Sequence, residues 1–497
     1  MSNIILIAAA LAFLLSSIAF VVSDRKKRDI VISRLSFRGR KASAAYTPPR
    51  SLSPEKQGLP RNTQPSAADY SEVFPPSRRH ALADLQPGAL KGAGGSAKEL
   101  SEQAVDYSKR VPSTEVANGE ALWDHVTATG FTVEEIKRLG DFPDYATLSG
   151  VPLPCAYQDF NIDAAQPRPY RPFRWAYHQT MSFNKLNTDW WLELELNYVE
   201  RVKQRVELFR KYGPMVLQSL PGSEIATKEL MEMCLQFLCA RYPHYFRLDS
   251  DSMVFHNGIL KTQTDLRTME PLHVLLHNVP EDFAMTLRDP KTGIYSFRAG
   301  VICSSLGWNL GSKIGMNLDE IHEPIPDYKE KMQFSMNRYF SKKPTDKAIQ
   351  RGSWGVEIDE PLFMPPNDLH EKLRETQDPT HTIERCHLRV DWQTLRRLPL
   401  SGSIVFGFKA MFTPVTQFRD EPYIPSLLLK VLQEGKRSLM AYKGTWHTEH
   451  LVIPALEEYE REQIERNLVD KTWEPQTLAE SPFFPGWEEQ WHRRQGF

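Results

Sequence analysis

Several familiar signatures are missing from this chain. It has no GxxxxGK[ST] loop, no GxSxG turn, no HExxH pair and no GxGxxG run. The first absence removes the phosphate-cradling NTPases, the second the α/β-hydrolase elbow, the third the zinc peptidases and the fourth the dinucleotide-binding fingerprint. Cysteine is scarce: Cys155, Cys234, Cys239, Cys303 and Cys386 are an odd number at irregular spacing, without a CxxC pair. That excludes an oxidised framework and predicts reduced thiols in a cytosolic main domain. Net charge is also missing, at -1. A general nucleic-acid binder would carry a basic footprint instead. No internal repeat is visible.

What is present begins with a core. The chain has 497 residues, 41% hydrophobic and 11% aromatic, enough for a sizeable globular interior in a few domains. Ile4 to Val22 is an unbroken apolar run apart from Ser16 and Ser17. As a helix it spans roughly 28 Å, near the ~30 Å of a bilayer core. Arg25, Lys26, Lys27, Arg28, Arg34, Arg38, Arg40 and Lys41 follow it, and no basic side chain precedes it. The positive-inside rule then predicts a single transmembrane anchor over residues 1–23 with the rest of the chain in the cytosol. A cleaved signal peptide would want a basic leading region and a shorter run. The modest length of the anchor suits the endoplasmic reticulum. Residues 24–118 are basic at first and then rich in Pro, Ser and Gly, with few periodic apolar positions. They read as a disordered tether.

Residues 119–455 form the main domain. Thr132 is placed to cap a helix to Leu139. Helical spacing runs over Trp190–Tyr212, Lys228–Tyr242 (stopped by Pro243), Leu272–Asn278 and Lys329–Tyr339, with a shorter piece at Leu310–Gly315. Phe283–Leu287 and Tyr295–Cys303 flank an Asp-Pro-Lys-Thr-Gly turn, and His387–Thr394 and Ser403–Phe412 make a second hairpin. Helices among antiparallel hairpins predict an α+β, mixed α/β fold. Residues 456–497 read as a charged helix and a Trp/Pro-rich tail.

Candidate site residues follow from chemistry, and each has a plain structural alternative. His273 and His277 share a helix face at ligand spacing, without the Glu or third ligand that would mark a zinc site. Cys303 ends a strand and would serve as a thiolate ligand or as an ordinary core residue. His322 stands before Pro324 and Pro326, which stiffen the chain around it. It is a good metal ligand or a loop histidine. Arg385, Arg389, Arg396 and Arg397 surround the second hairpin, and Arg171 and Arg174 lie in PYRPFRW. Arginines so placed hold propionates or phosphates, or are solvated strand residues.

Five blocks then share one pattern: PYRPFRWAYHQTMSFNKLNTDWWLELELNY, VPEDFAMTL, GVICSSLGWNLGSKIGMNLDEIHEPIPDY, RGSWGVEIDEPLF and LRVDWQTLRRLPLSGSIVFGF. In order and spacing, over 167–414, they resemble the alpha subunit of the haem-dependent oxidative N-demethylases and its fungal relatives. The resemblance implies haem b in a PAS-like fold, an antiparallel sheet with packed helices. It implies that dioxygen is used to oxidise a small secondary amine, releasing formaldehyde and a shorter amine. Electrons would come from NADPH through a separate flavin and iron–sulfur reductase, or a membrane-bound one. It makes His322 the axial ligand, ahead of Cys303 and the other histidines, because IHEPIPDY matches His-x-Pro-Val-Pro-Gly-Tyr. Arg351 and Trp354 match Arg-Ser-Asn-Trp, although Gly352 and Ser353 replace Ser and Asn. Arg389, Arg396 or Arg397 would hold a propionate. Glu281 and Asp282 match an acidic pair, and one of them would face a protonated amine, since a buried ammonium needs a carboxylate. The departures near the site leave room for a larger, greasier amine. Two other readings stay open: a haem sensor or carrier without turnover, and a tethered interaction protein without cofactor.

Overall fold

In the computed structural model, residues 127–177, 181–289, 293–365 and 368–496 are described. The expected anchor at 1–23 and tether at 24–118 lie outside them. Among the described residues no helix is long and apolar enough to cross a membrane.

The strands, in chain order, are β1 (Asn184–Lys185), β2 (Leu217–Ser219), β3 (Phe246–Asp249), β4 (Val254–Asn257), β5 (Thr262–Asp265), β6 (Asp282–Arg288), β7 (Tyr295–Val301), β8 (Ile349–Ile358), β9 (Cys386–Arg397) and β10 (Ile404–Pro414). Seven of them form one sheet of order β1-β8-β9-β10-β6-β7-β2, and β3-β4-β5 form a small second sheet. Every pairing is antiparallel. The fold is therefore mixed α+β, as the hairpin pattern predicts. Both expected hairpins are present, and β8 and the small sheet are added to them.

Register decides which side chains share a face, because strand residues alternate. Ile349, Leu395, Phe406 and Ala284 lie in one cross-strand row, and Arg351, Gln393, Phe408 and Asp282 in the next row on the same face. This front face is covered by the β7–β8 connection, whose helices are Leu310–Lys313, Leu318–His322, Tyr328–Lys331 and Gln333–Lys342. Leu318, Tyr328, Met332, Met336 and Phe340 pack there with Leu395 and Ile404. Ile314 and Ile321 pack with Phe297, Phe406 and Phe408. The back face carries Trp354, Val390, Trp392, Val405, Met285 and Phe283 into the main core, to which the helices Glu224–Arg241 and Trp446–Glu465 also contribute. Each fully buried aliphatic or aromatic side chain contributes roughly 1.5–3 kcal/mol.

Two predicted helices differ in the structure. The expected Trp190–Tyr212 helix begins only at Tyr198. Trp191 to Glu195 are all buried, and their backbone is held by tertiary partners: Glu193 N donates to Glu281 Oε1 (2.9 Å) and Leu194 N to the Tyr242 hydroxyl (3.2 Å). Long-range bonds win over helical spacing there. The expected Lys329–Tyr339 helix is two, Tyr328–Lys331 and Gln333–Lys342. Met332 leaves helical geometry at φ -124° and enters the front-face cluster. The boundary expected at 455/456 falls inside the helix Trp446–Glu465. The tail beyond it is packed rather than loose: Arg171 N donates to Pro482 O at 2.6 Å, Trp491 Nε1 to Gln166 O at 2.8 Å, and Phe484 is buried.

Candidate functional site

The front face is where the candidate residues gather. Asn317 caps the helix Leu318–His322: its side chain accepts from Asp319 N and Glu320 N, and Glu320 returns a bond to Asn317 N at 2.8 Å. This capping box fixes a helix too short to stand alone. A Ser296–Asn317 bridge and the Phe297 N to Met316 O bond (2.8 Å) tie its start to β7. Pro324 and Pro326 then end it. His322 is the last residue of this helix. Its Nδ1 lies 2.7 Å from Leu318 O, and its ring stacks on Tyr328 at 5.4 Å and 17°. Tyr328 is fixed in turn by its hydroxyl bond to Asp319 (3.0 Å).

A carbonyl at Nδ1 puts the proton on that nitrogen and leaves the lone pair on Nε2, the tautomer of a metal-bound imidazole. Burial lowers the pKa of His322, and the charges of Lys313 and Arg351 add to the lowering. The ring is thus neutral, as a ligand must be.

Arg351, from β8, is held on the same face. Its Nε has no hydrogen-bond partner although it is buried. Burial lowers its pKa, with Tyr177 and Tyr170 acting against that. Lys443, from a later helix, lies at the edge of β8, donating to Trp354 O (2.8 Å) with its ammonium 4.9 Å from the Trp354 ring, and burial brings its pKa to about 7. No sequence signal pointed to Lys443, because its place depends on a chain reversal some ninety residues away.

The other arginines are placed differently. Arg389 is on the front face, but its guanidinium donates to Pro361 O (2.6 Å), Leu362 O, Ser304 O and Asp391. Arg397 donates to the Tyr295 hydroxyl (2.7 Å) and to the carbonyls of Lys343, Gly402, Phe340 and Ser341. Both are clamps that bind the connection to the sheet. Arg396 faces the back of the sheet, where it stacks on Trp191. Trp354 also faces the back, edge-on to Phe173 at 5.2 Å. Arg171 is locked to Glu421 at 2.6 Å, and Arg385 to Asp359 at 2.6 Å.

The acidic pair is split by the strand that begins there. Asp282 is on the front face and buried, paired with Arg205 and accepting from Cys303 N (2.9 Å) and the Ser304 hydroxyl. Glu281 is turned to the back. Its Oε1 accepts from Glu193 N, its Oε2 has no partner, and burial pushes its pKa up to about 7. It is a carboxyl that holds its proton close to neutral pH.

Cys303 is buried, and burial pushes its thiol up to about 12. That matches the core reading, since a ligand must be a thiolate. His273 stands edge-on to Phe209 at 4.9 Å. Among the described residues no group of three or more His, Cys, Asp or Glu converges as a metal cage. An iron held by a macrocycle and one histidine would need no such cage.

The front face thus combines a neutral histidine, an apolar aromatic floor and an unpaired arginine. That donor set fits a flat apolar macrocycle with an iron centre and acidic edge groups. Residues 182–453, over half of the chain, match the family described as haem-dependent oxidative N-demethylase, alpha subunit-like.

Proposed function

The chain belongs to the haem-dependent oxidative N-demethylase, alpha subunit-like family, and from that membership we propose that it is a haem oxidoreductase acting on an N-methyl amine. The carrying observation is His322: neutral, with Nδ1 spent on Leu318 O, at the edge of an apolar sheet face that also holds Arg351 with an unpaired Nε. The five central strands β8-β9-β10-β6-β7 are, in their own chain order, 3-4-5-1-2, with the helices carried between the second and third. This supports the PAS-like reading.

In this reading His322 would ligate the iron of haem b, Phe406, Phe408, Ile321 and Ile314 would bed the ring, and Arg351 with Lys443 would hold the propionates. Bound there, haem would supply the iron centre at which dioxygen is reduced and used to oxidise the N-methyl carbon. Overall, an N-methyl amine, dioxygen, two electrons and two protons give the demethylated amine, formaldehyde and water. The protein's own residues orient and exclude. The aromatic floor keeps water from the ring, which strengthens each charge interaction beside it. Arg389 and Arg397 hold the covering helices to the sheet. Asp282 is a positioning residue, fixing Cys303 and Ser304 at the end of β7. Glu281, just before the same strand, faces the far side with its pKa raised to about 7 by burial.

The electrons require a donor, and NADPH working through a separate reductase subunit suits a chain with no nucleotide-binding signature. Residues 4–22 with the basic residues after them support a membrane tether, cytosol-facing and in the endoplasmic reticulum. Carbonate-resistant sedimentation of the full chain, lost when 1–23 are removed, tests that tether.

The activity is tested with haem-loaded protein, a chemical or enzymatic electron source and a set of N-methyl secondary amines. Formaldehyde should form in proportion to oxygen consumed, and Arg351→Met should lower haem affinity. Stable haem with no formaldehyde from any amine would make the protein a carrier or sensor instead.

A further inference from the structure

Behind the sheet, away from the haem cradle, a cleft of about 490 Å³ opens between residues 145–154, the stretch 185–191 and the helix Glu224–Arg241. Pro152, Leu153, Trp191, Met233, Phe237 and Ala348 give it largely apolar walls. Arg396 lines it as well. That residue is 5% exposed, and its guanidinium lies 4.0 Å above the Trp191 ring. Its Nε has no hydrogen-bond partner, and among the described residues no carboxylate pairs with it. Cys234 and Glu229 are the acidic groups nearest it in effect, and both Glu229 oxygens are taken by Leu400 N and Ser401 N.

Among the described residues every other buried arginine has at least one hydrogen-bond partner, although Arg205, Arg241 and Arg298 each keep a nitrogen without one. Arg168 is paired with Glu193, Arg171 with Glu421 and Arg205 with Asp282, while Arg397 is surrounded by carbonyls. An unpaired buried charge is costly and is retained where something supplies the counter-charge. The Trp191 stack fixes the guanidinium plane, so its fork is presented ready for a planar oxyanion. The cleft has the size and the apolar lining of a small-molecule pocket. Lys185 and Asp346, at its lining, carry opposite charges, which leaves Arg396 to set the preference.

We propose that this cleft binds a small organic acid, its carboxylate forked on Arg396 and its apolar body laid between Trp191, Phe237 and Pro152. The site is separate from the haem cradle, because Arg396 and Arg397 are neighbours on β9 and face opposite sides of the sheet.

Calorimetric titration of the full chain with octanoate and, separately, with inorganic phosphate tests this. Octanoate should bind saturably, and Arg396→Met should weaken it at least tenfold. Arg396→Lys, which keeps the charge but loses the fork, should recover only part. Leu153→Glu changes a residue that is 42% exposed at the rim. It should weaken octanoate by repulsion with the fold intact, so the test survives if Arg396→Met does not fold. Absence of saturable octanoate binding, or binding unchanged in Arg396→Met and Leu153→Glu, would overturn the proposal. Phosphate binding as tight as octanoate would overturn the apolar-body part. Loss of haem uptake by a natively folded Arg396→Met would assign this arginine to the cofactor and overturn the separate site.

Discussion

Glu281 and Asp282 are adjacent residues with opposite electrostatic situations. The folded-state pKa of Glu281, about 7, lies above the usual glutamate value. The folded protein therefore binds this proton more tightly than the unfolded chain, and the associated stability is present below about pH 4.5 and lost as pH rises toward 7. The ceiling is on the order of 3 kcal/mol. Glu281→Gln keeps the bond from Glu193 N and cannot ionise, so its melting temperature should fall less than wild type between about pH 5 and 7.5. Glu229, also at about 7, keeps part of the slope in place. Melts of both proteins across that range check this, and an unchanged slope would remove Glu281 as the cause. Asp282 behaves otherwise: Asp282→Asn leaves Arg205 buried without its partner and should cost roughly 3–5 kcal/mol in urea unfolding. The expected strand stops at Thr394; that Arg396 and Arg397 face opposite ways emerges only because β9 continues to Arg397. Sequence could not show which of them faces the helices, nor that Arg397 would be surrounded by carbonyls of Phe340 and Lys343, because those partners are more than fifty residues away.

The strands and the short capped helix were the most readable elements. Thr132 caps the helix to Leu139 as the sequence predicts, and Glu135 completes a capping box. Both hairpins are announced by their turns. The Trp191–Glu195 stretch was not readable, because its apolar spacing mimics a helix and partners distant in sequence, among them Glu281, Tyr242 and Lys409, hold it out of one. Gly352 is a comparable case. A Cβ there would lie 2.6 Å from Tyr170 Cε1 and 2.9 Å from Pro172 Cβ. The glycine is thus what lets the PYRPF segment lie flat on the back of β8. Gly352→Ser, toward the residue of the resembling pattern, should cost about 1–3 kcal/mol by overpacking. Equal denaturation midpoints for the two proteins would show that Tyr170 moves aside freely.

Across the whole molecule, the main sheet is held by segments far apart in the chain. Thr127 and Thr129 donate to Leu400 O at 2.6 and 2.8 Å, and the C-terminal tail returns to residues 166–171. Removing 476–497 should therefore lower the melting temperature measurably by exposing Tyr170 and Trp190, rather than leave the domain unaffected as a loose tail would. Such closures depend on pairing at a distance, which local periodicity does not encode. The central claim is that the front face holds haem through His322. Titrating haem into the full chain and into His322→Ala, and following the Soret band, tests it most directly. The expected result is a saturable band in the wild type that shifts or is lost in the variant. No haem uptake by the wild type, or the same band in both proteins, would contradict it.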